Sequence, residues 1–195
     1  MIKQLRYITG KSSFNLPLFL VIFFALYYGF YFYVGIVTPG GKTFSPFLYH
    51  YLNIPDWLSI AVIKCTMVLL KIAGYPVYQK SANNITISGS TGVTLIWGCL
   101  GMGVMVLWTA FIAAHRATFA YKLKWISIGV VSIYAFNVLR IATILLSFRY
   151  HWHYPQSFNA HSTFNDVTYI IIIMLMIIFI VQYNRAQKMP GGGER

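Results

Sequence analysis

The sequence predicts an all-α polytopic membrane protein of about four transmembrane helices, with an outer interfacial helix and a small β-hairpin. Three observations carry this. Of 195 residues 58% are hydrophobic and 9% charged, with mean hydropathy +0.64, where a soluble domain holds about 25% charged residues. Four apolar stretches approach the roughly 20 residues that cross a bilayer: 14–37, 97–114 with its polar approach included, 125–147 and 167–183. Between the first two, the side-chain period shifts from helical to alternating.

The first stretch, 14–37, exceeds a signal-peptide core and has no small-residue cleavage site. Lys3, Arg6 and Lys11 precede it; Arg116, Lys122 and Lys124 join the second and third stretches; Arg185 and Lys188 follow the fourth. Four crossings put these basic segments on one side, the cytoplasm by the positive-inside rule. One membrane domain over 1–195 follows: a cytoplasmic N-terminus at 1–13, a transmembrane catalytic core at 14–183 and a cytoplasmic, disordered tail at 184–195. The segment 56–74 is apolar enough to cross, yet Lys64 and Lys71 lie seven residues apart on one helix side. It is expected at the outer interface with its lysines reaching headgroups; a fifth span is the alternative. Within 77–95, Ile85 and Ile87 alternate with polar neighbours. Ser88-Gly89-Ser90-Thr91-Gly92 then turns the chain, and Val93, Leu95 and Trp97 alternate again. That pattern predicts a β-hairpin leading into Cys99.

Composition also excludes some functions. Fifteen Lys+Arg against 3 acids give a net charge of +12, but the basic residues are dispersed between apolar runs and form no stripe for nucleic acid. Topology and anionic headgroups account for the excess. Cys65 and Cys99 lack CxxC spacing, and no phosphate-loop, dinucleotide or zinc-finger pattern is present. Asn84-Ile85-Thr86 matches a glycosylation acceptor and is read as turn and strand. Cys65, with only Lys64 beside it, is read as structural.

Three residues carry chemistry. Cys99 lies in Trp97-Gly98-Cys99-Leu100-Gly101, where a strand-like segment passes into a membrane helix. A thiol at a helix amino end is biased toward thiolate, and Gly98 and Gly101 permit a sharp turn and close substrate approach. The bland reading is a small buried hydrophobe between packing glycines. Arg140 lies fifteen residues past Trp125, about 22 Å along the helix and so in the outer third of a core roughly 30 Å thick. Asn137, Arg140, Thr143 and Ser147 form one polar stripe. Arg140 either reaches headgroups or clamps a substrate carbonyl or carboxylate. His161, in an outer loop before the last stretch, is the general-base candidate; Asp166 orients it or caps the last helix. His151, His153 and His161 make only a weak metal pattern, and no metal or cofactor is assigned.

With these residues in place, the chain resembles the exosortase/archaeosortase family of membrane cysteine transpeptidases. Gly98-Cys99-Leu100-Gly101 is similar to that family's cysteine motif, usually Cys-Ser-Gly, with Leu100 in place of the serine. Asn137-Val138-Leu139-Arg140-Ile141 resembles its Asn-x-x-Arg-Ile block, and His161 stands where the family histidine precedes the last span. The resemblance covers roughly 69–183, in a chain shorter than many members. It implies an enzyme of a prokaryotic inner or cytoplasmic membrane, with its active site facing outward. Its partners would be secreted proteins whose C-terminal tails carry a short motif, a hydrophobic span and a basic end. Cys99 would form a thioester, His161 move the proton and Arg140 stabilise the oxyanion or grip the motif. Gly98, Gly101, Asn137 and Asp166 would support them, and a lipid or glycan acceptor would release the product. An intramembrane cysteine protease without transfer and a non-catalytic membrane scaffold are the alternatives.

Overall fold

The computed structural model describes residues 14–81, 83–151 and 160–188, with side chains left out at 97, 160–166 and 186–188. Helix α1 (Leu16–Val37) is followed by the short α2 (Pro46–Tyr51) and by α3 (Ile54–Ile72). Strands β1 (Val77–Ser81), β2 (Asn84–Ile87) and β3 (Val93–Thr94) lead to a 3-10 turn (Trp97–Leu100) and α4 (Met102–Ala113). Two long helices, α5 (Phe119–Arg149) and α6 (Ala160–Lys188), complete the chain. The fold is the expected all-α polytopic one with a small antiparallel sheet. Residue chemistry sets the helix starts: the Asn15 carboxamide accepts from Leu18 N–H at 3.1 Å, and Asn53 accepts from Asp56 N–H at 3.3 Å. A proline occupies the first turn of α1 and of α3.

The hairpin forms as β2–β3, with Ile85 opposite Val93 and Asn84 opposite Thr94. The Asn84 amide donates to Thr94 Oγ1 at 2.7 Å, so the glycosylation-like asparagine is a cross-strand residue. A third strand, β1, pairs with β2. Its Tyr78, Gln79 and Lys80 are all exposed, so it lacks the alternation that would have marked it.

Helix α5 is the central element, packing on α3, α4 and α6. Two apolar clusters divide along it. One joins Val62, Ile63 and Leu70 of α3, Ile85 and Ile87 of the sheet, and Leu100 to Val138, Ile141, Ala142 and Leu145. The other joins Trp108 and Ile112 of α4 to Trp125, Ile133, Ile172, Phe179 and Tyr183. Asn137 and Arg140 lie where the two meet.

The ends of the elements support the topology. Phe14 bridges to His115, Asn15 N–H donates to the Ala114 carbonyl at 3.2 Å, and the Tyr183 hydroxyl donates to the Arg116 carbonyl. The start of α1, the α4–α5 connection and the end of α6 therefore gather at one end of the bundle. At that end His115 is enclosed by Phe14, Phe111, Phe179 and Tyr183, with ring centroids 4.7–5.5 Å away. Burial lowers the His115 pKa from 6.5 and nearby Lys122 lowers it further, against the opposing bond to the Phe111 carbonyl. A depressed histidine pKa means the unfolded chain binds the extra proton first. Stability is thus complete above about pH 6.5 and is lost as pH falls below it. Thermal unfolding in detergent at pH 7.5 and 5.5 is expected to show a lower midpoint in acid, and His115→Asn to flatten that difference.

Three expectations are revised. The stretch 97–114 is not one continuous helix. Gly101 adopts φ +71°, in the left-handed region, which separates the 3-10 turn from a 12-residue α4 of about 18 Å. Among the described residues, four helices are long and apolar enough to cross a membrane, and they include 46–72 in place of α4. Residues Ser59, Val62, Ile63, Thr66 and Leu70 bury one face of α3 while Lys64 and Lys71 stay exposed, as its amphipathic spacing requires. Lastly, α6 starts at Ala160 and ends at Lys188. The backbone of His161 and Asp166 is therefore helical, not loop, and the helix continues past the boundary at 183. Asp166 is the seventh residue of α6, beyond the first-turn amides that a capping side chain serves, so it does not cap.

Candidate active site

A cavity of about 380 Å³ opens where the two cores meet, within the range of ligand pockets. Four walls converge on it. The Cys99 turn contributes Gly98 and Gly101; the amino end of α4 contributes Met102, Gly103 and Val104; α5 contributes Asn137 and Arg140; α6 contributes Thr168 and Tyr169. A fifth wall, Phe23, Tyr27, Phe30 and Tyr31 of α1, was not anticipated from the sequence. Its signal was available as the spacing i, i+4, i+7, i+8, one face of a helix.

Two polar groups here are buried donors without acceptors. Asn137 and Arg140 are 4% and 8% exposed, and Asn137 Nδ2 and Arg140 Nε are both buried with no hydrogen-bond partner. A buried donor left unpaired costs about 1–3 kcal/mol, so its persistence points to an acceptor arriving from outside the chain. The first-turn amides of α4 add to this. Gly101 provides no side-chain cap, so amides with no partner inside the helix lie at the same cavity. A donor-rich recess of this kind suits an oxyanion or a carboxylate.

Cys99 is half-buried between the two cavity glycines, its amide donating to the Ile96 carbonyl at 2.8 Å. It lies in the 3-10 turn ahead of α4, not in the first α-helical turn that its position in the sequence suggested. Leu100 points the other way, 1% exposed within the core of α3, the sheet and α5. An apolar residue after the cysteine is thus what this turn buries. Both cysteines carry thiols, with no disulfide, and Cys65 accepts a bond from the Tyr134 hydroxyl at 3.2 Å, where α3 meets α5. His161 lies two helical turns before Thr168; the side chains of His161 and Asp166, and His153, lie outside the described residues. Asn137 and Arg140 are brought to one cavity with Gly98 and Gly101, the glycines on either side of Cys99, and the backbone of His161 belongs to α6, whose Thr168 and Tyr169 line it.

Gly101 holds this arrangement. Besides its positive φ, a Cβ there would stand 2.8 Å from Asn137 Nδ2. Gly101→Ala is expected to destabilise the protein by about 1–3 kcal/mol and to shift the Cys99 turn. A lower unfolding midpoint together with altered alkylation of Cys99 checks this.

The family model of the transmembrane exosortases matches residues 1–179. Comparisons with curated proteins and with solved structures give no match. The matched region takes in α1, the Cys99 turn, the Asn137–Arg140 stripe and the cavity-lining part of α6. The chain belongs to the transmembrane exosortase family.

Proposed function

We propose that this exosortase-family protein is a membrane cysteine transpeptidase that cuts the C-terminal sorting tails of secreted proteins and passes the product to an envelope acceptor. The observation that carries the reading is the cavity with two buried, unpaired donors, Asn137 Nδ2 and Arg140 Nε, bordered by the glycines on either side of Cys99.

The Cys99 thiolate attacks the carbonyl of the scissile peptide. The C–S bond forms, and the oxyanion is met by the Arg140 guanidinium, the Asn137 amide and the α4 amino end. The C–N bond then breaks as His161 delivers a proton to the departing amine. An acceptor amine next attacks the thioester: a C–N bond forms, the C–S bond breaks and the nitrogen's proton returns to sulfur. The tail's hydrophobic span lies in the bilayer beside α1, whose aromatic face borders the cavity. Confinement to the membrane lowers the entropy cost of presenting the bond. The basic segments at the opposite end of the bundle support an orientation with the Cys99 end outside a prokaryotic cytoplasmic membrane.

Product mass tests this. Transfer leaves the mature protein heavier than its cleaved chain by the mass of an acceptor. A product ending in a free carboxylate would instead support hydrolysis by an intramembrane protease. A normal product from a Cys99→Ala strain would support a scaffold.

A further inference from the structure

A second cavity, of about 410 Å³, borders the same turn from its other side. Gly98 and Gly101 line the first cavity; Ile96 and Leu100 line the second. The two differ in charge. Arg140 is the only formally charged side chain among the described residues lining the first, and Asp56 holds that place in the second. The contrast is informative because acids are outnumbered 3 to 15 in this chain.

Asp56 has a structural task that leaves capacity to spare. Its Oδ2 accepts from Asn53 Nδ2 at 2.7 Å and its amide donates to Asn53 Oδ1, closing the first turn of α3. The carboxylate already answers the positive end of α3, so a second anion has no attraction to this cavity. A carboxylate offers about four lone-pair positions, and the rest stay open on an exposed side chain. An independent feature of the same cavity calls for a ligand. Ser59, one turn further along α3, is 8% exposed, and its Oγ is buried with no hydrogen-bond partner.

We propose that this cavity is a binding site for a primary ammonium group, carried by a lipid headgroup or by a soluble amine. Asp56 supplies the counter-charge and Ser59 Oγ a hydrogen-bond acceptor. Resting on the transfer reading, the bound amine is the acceptor. After giving one proton to solvent, its nitrogen forms the C–N bond as the C–S bond to Cys99 breaks, and its second proton ends on sulfur.

The test uses the full chain in phosphatidylcholine nanodiscs, with saturation-transfer NMR on ethylammonium and on tetramethylammonium as control. Saturable binding of ethylammonium alone is expected, weakened about tenfold or more by Asp56→Asn and more modestly by Ser59→Ala. Asp56→Asn keeps an acceptor for Asn53, so α3 is expected to stay capped; should its unfolding midpoint fall, Ser59→Ala decides. Equal binding by the variants, or by both cations, overturns the site. Native mass spectrometry from discs mixing phosphatidylethanolamine with phosphatidylcholine assigns the source. Retention of phosphatidylethanolamine that Asp56→Asn abolishes marks a headgroup site, and no retention beside ethylammonium binding marks a soluble amine. Binding is also measured in Cys99→Ala, separating it from chemistry. Ammonium binding with a hydrolysed product overturns transfer alone. A transferred product with no ammonium binding overturns the site alone.

Discussion

Replacing Cys99 by alanine is expected to stop tail processing while the protein stays folded in its membrane, so that full-length tailed precursors accumulate. The two effects separate because of where the residue lies. Cys99 is half-buried in a turn held by other contacts: the amide bond to Ile96, the buried Leu100 and the left-handed Gly101. Losing one sulfur from such a site is expected to cost about 1 kcal/mol or less. Chemistry has no such reserve, because in the proposed reaction the acyl group passes through the Cys99 sulfur. A fall of about a thousandfold or more is expected. Cys65→Ser is the matched control; its thiol accepts from Tyr134 where α3 meets α5 and its loss is expected to leave processing intact. Precursor and product bands on blots, with an unfolding curve for each variant, check both halves.

Arg140→Met is expected to act in opposite directions on activity and stability. Arg140 Nε is buried without a partner, between apolar clusters above and below it on α5. A methionine of similar reach removes that unpaired donor and adds apolar contact. A gain of about 1 kcal/mol, or roughly 2–4 °C in midpoint, is expected. Processing is expected to fall by about 10²–10³, the size of losing one preorganised oxyanion donor. Arg140→Lys keeps the charge without the planar fork and is expected to recover only a minor part. A midpoint several degrees lower in Arg140→Met would mean that the guanidinium is a structural ion partner.

What the sequence made legible follows from energetic cost. An arginine and an asparagine three residues apart inside an apolar helix are expensive there, so Arg140 and Asn137 stood out as a polar stripe before any coordinates, with headgroups left as the alternative for Arg140. Alternation around Ser88–Gly92 marked β2–β3, and the clustering of lysines and arginines in short segments marked the end where Phe14, His115 and Tyr183 meet. The rest turned on features that carry no such cost. Gly101 was read as permitting a sharp turn, but glycines are common in membrane helices, so its presence did not fix a left-handed break that makes α4 short. The run His161-Ser162-Thr163-Phe164-Asn165-Asp166 is polar and read as loop, yet it is the amino-terminal part of α6. In α1 every face is apolar, which hid the aromatic stripe bordering the cavity. The second cavity was not legible because nothing in the spacing of Asp56 and Ser59 marks them as a site.

The account rests on an acyl group passing through Cys99 sulfur, and the most direct measurement looks for it there. The protein is captured from acid-quenched membranes of cells that are processing tailed proteins, and the peptide bearing Cys99 is analysed by mass. The account predicts an adduct on Cys99, removed by neutral hydroxylamine as a thioester is, whose acyl portion ends at the cut site of a tailed protein. Cys99 found only as a thiol, with processing continuing at the normal rate in Cys99→Ser, would contradict it.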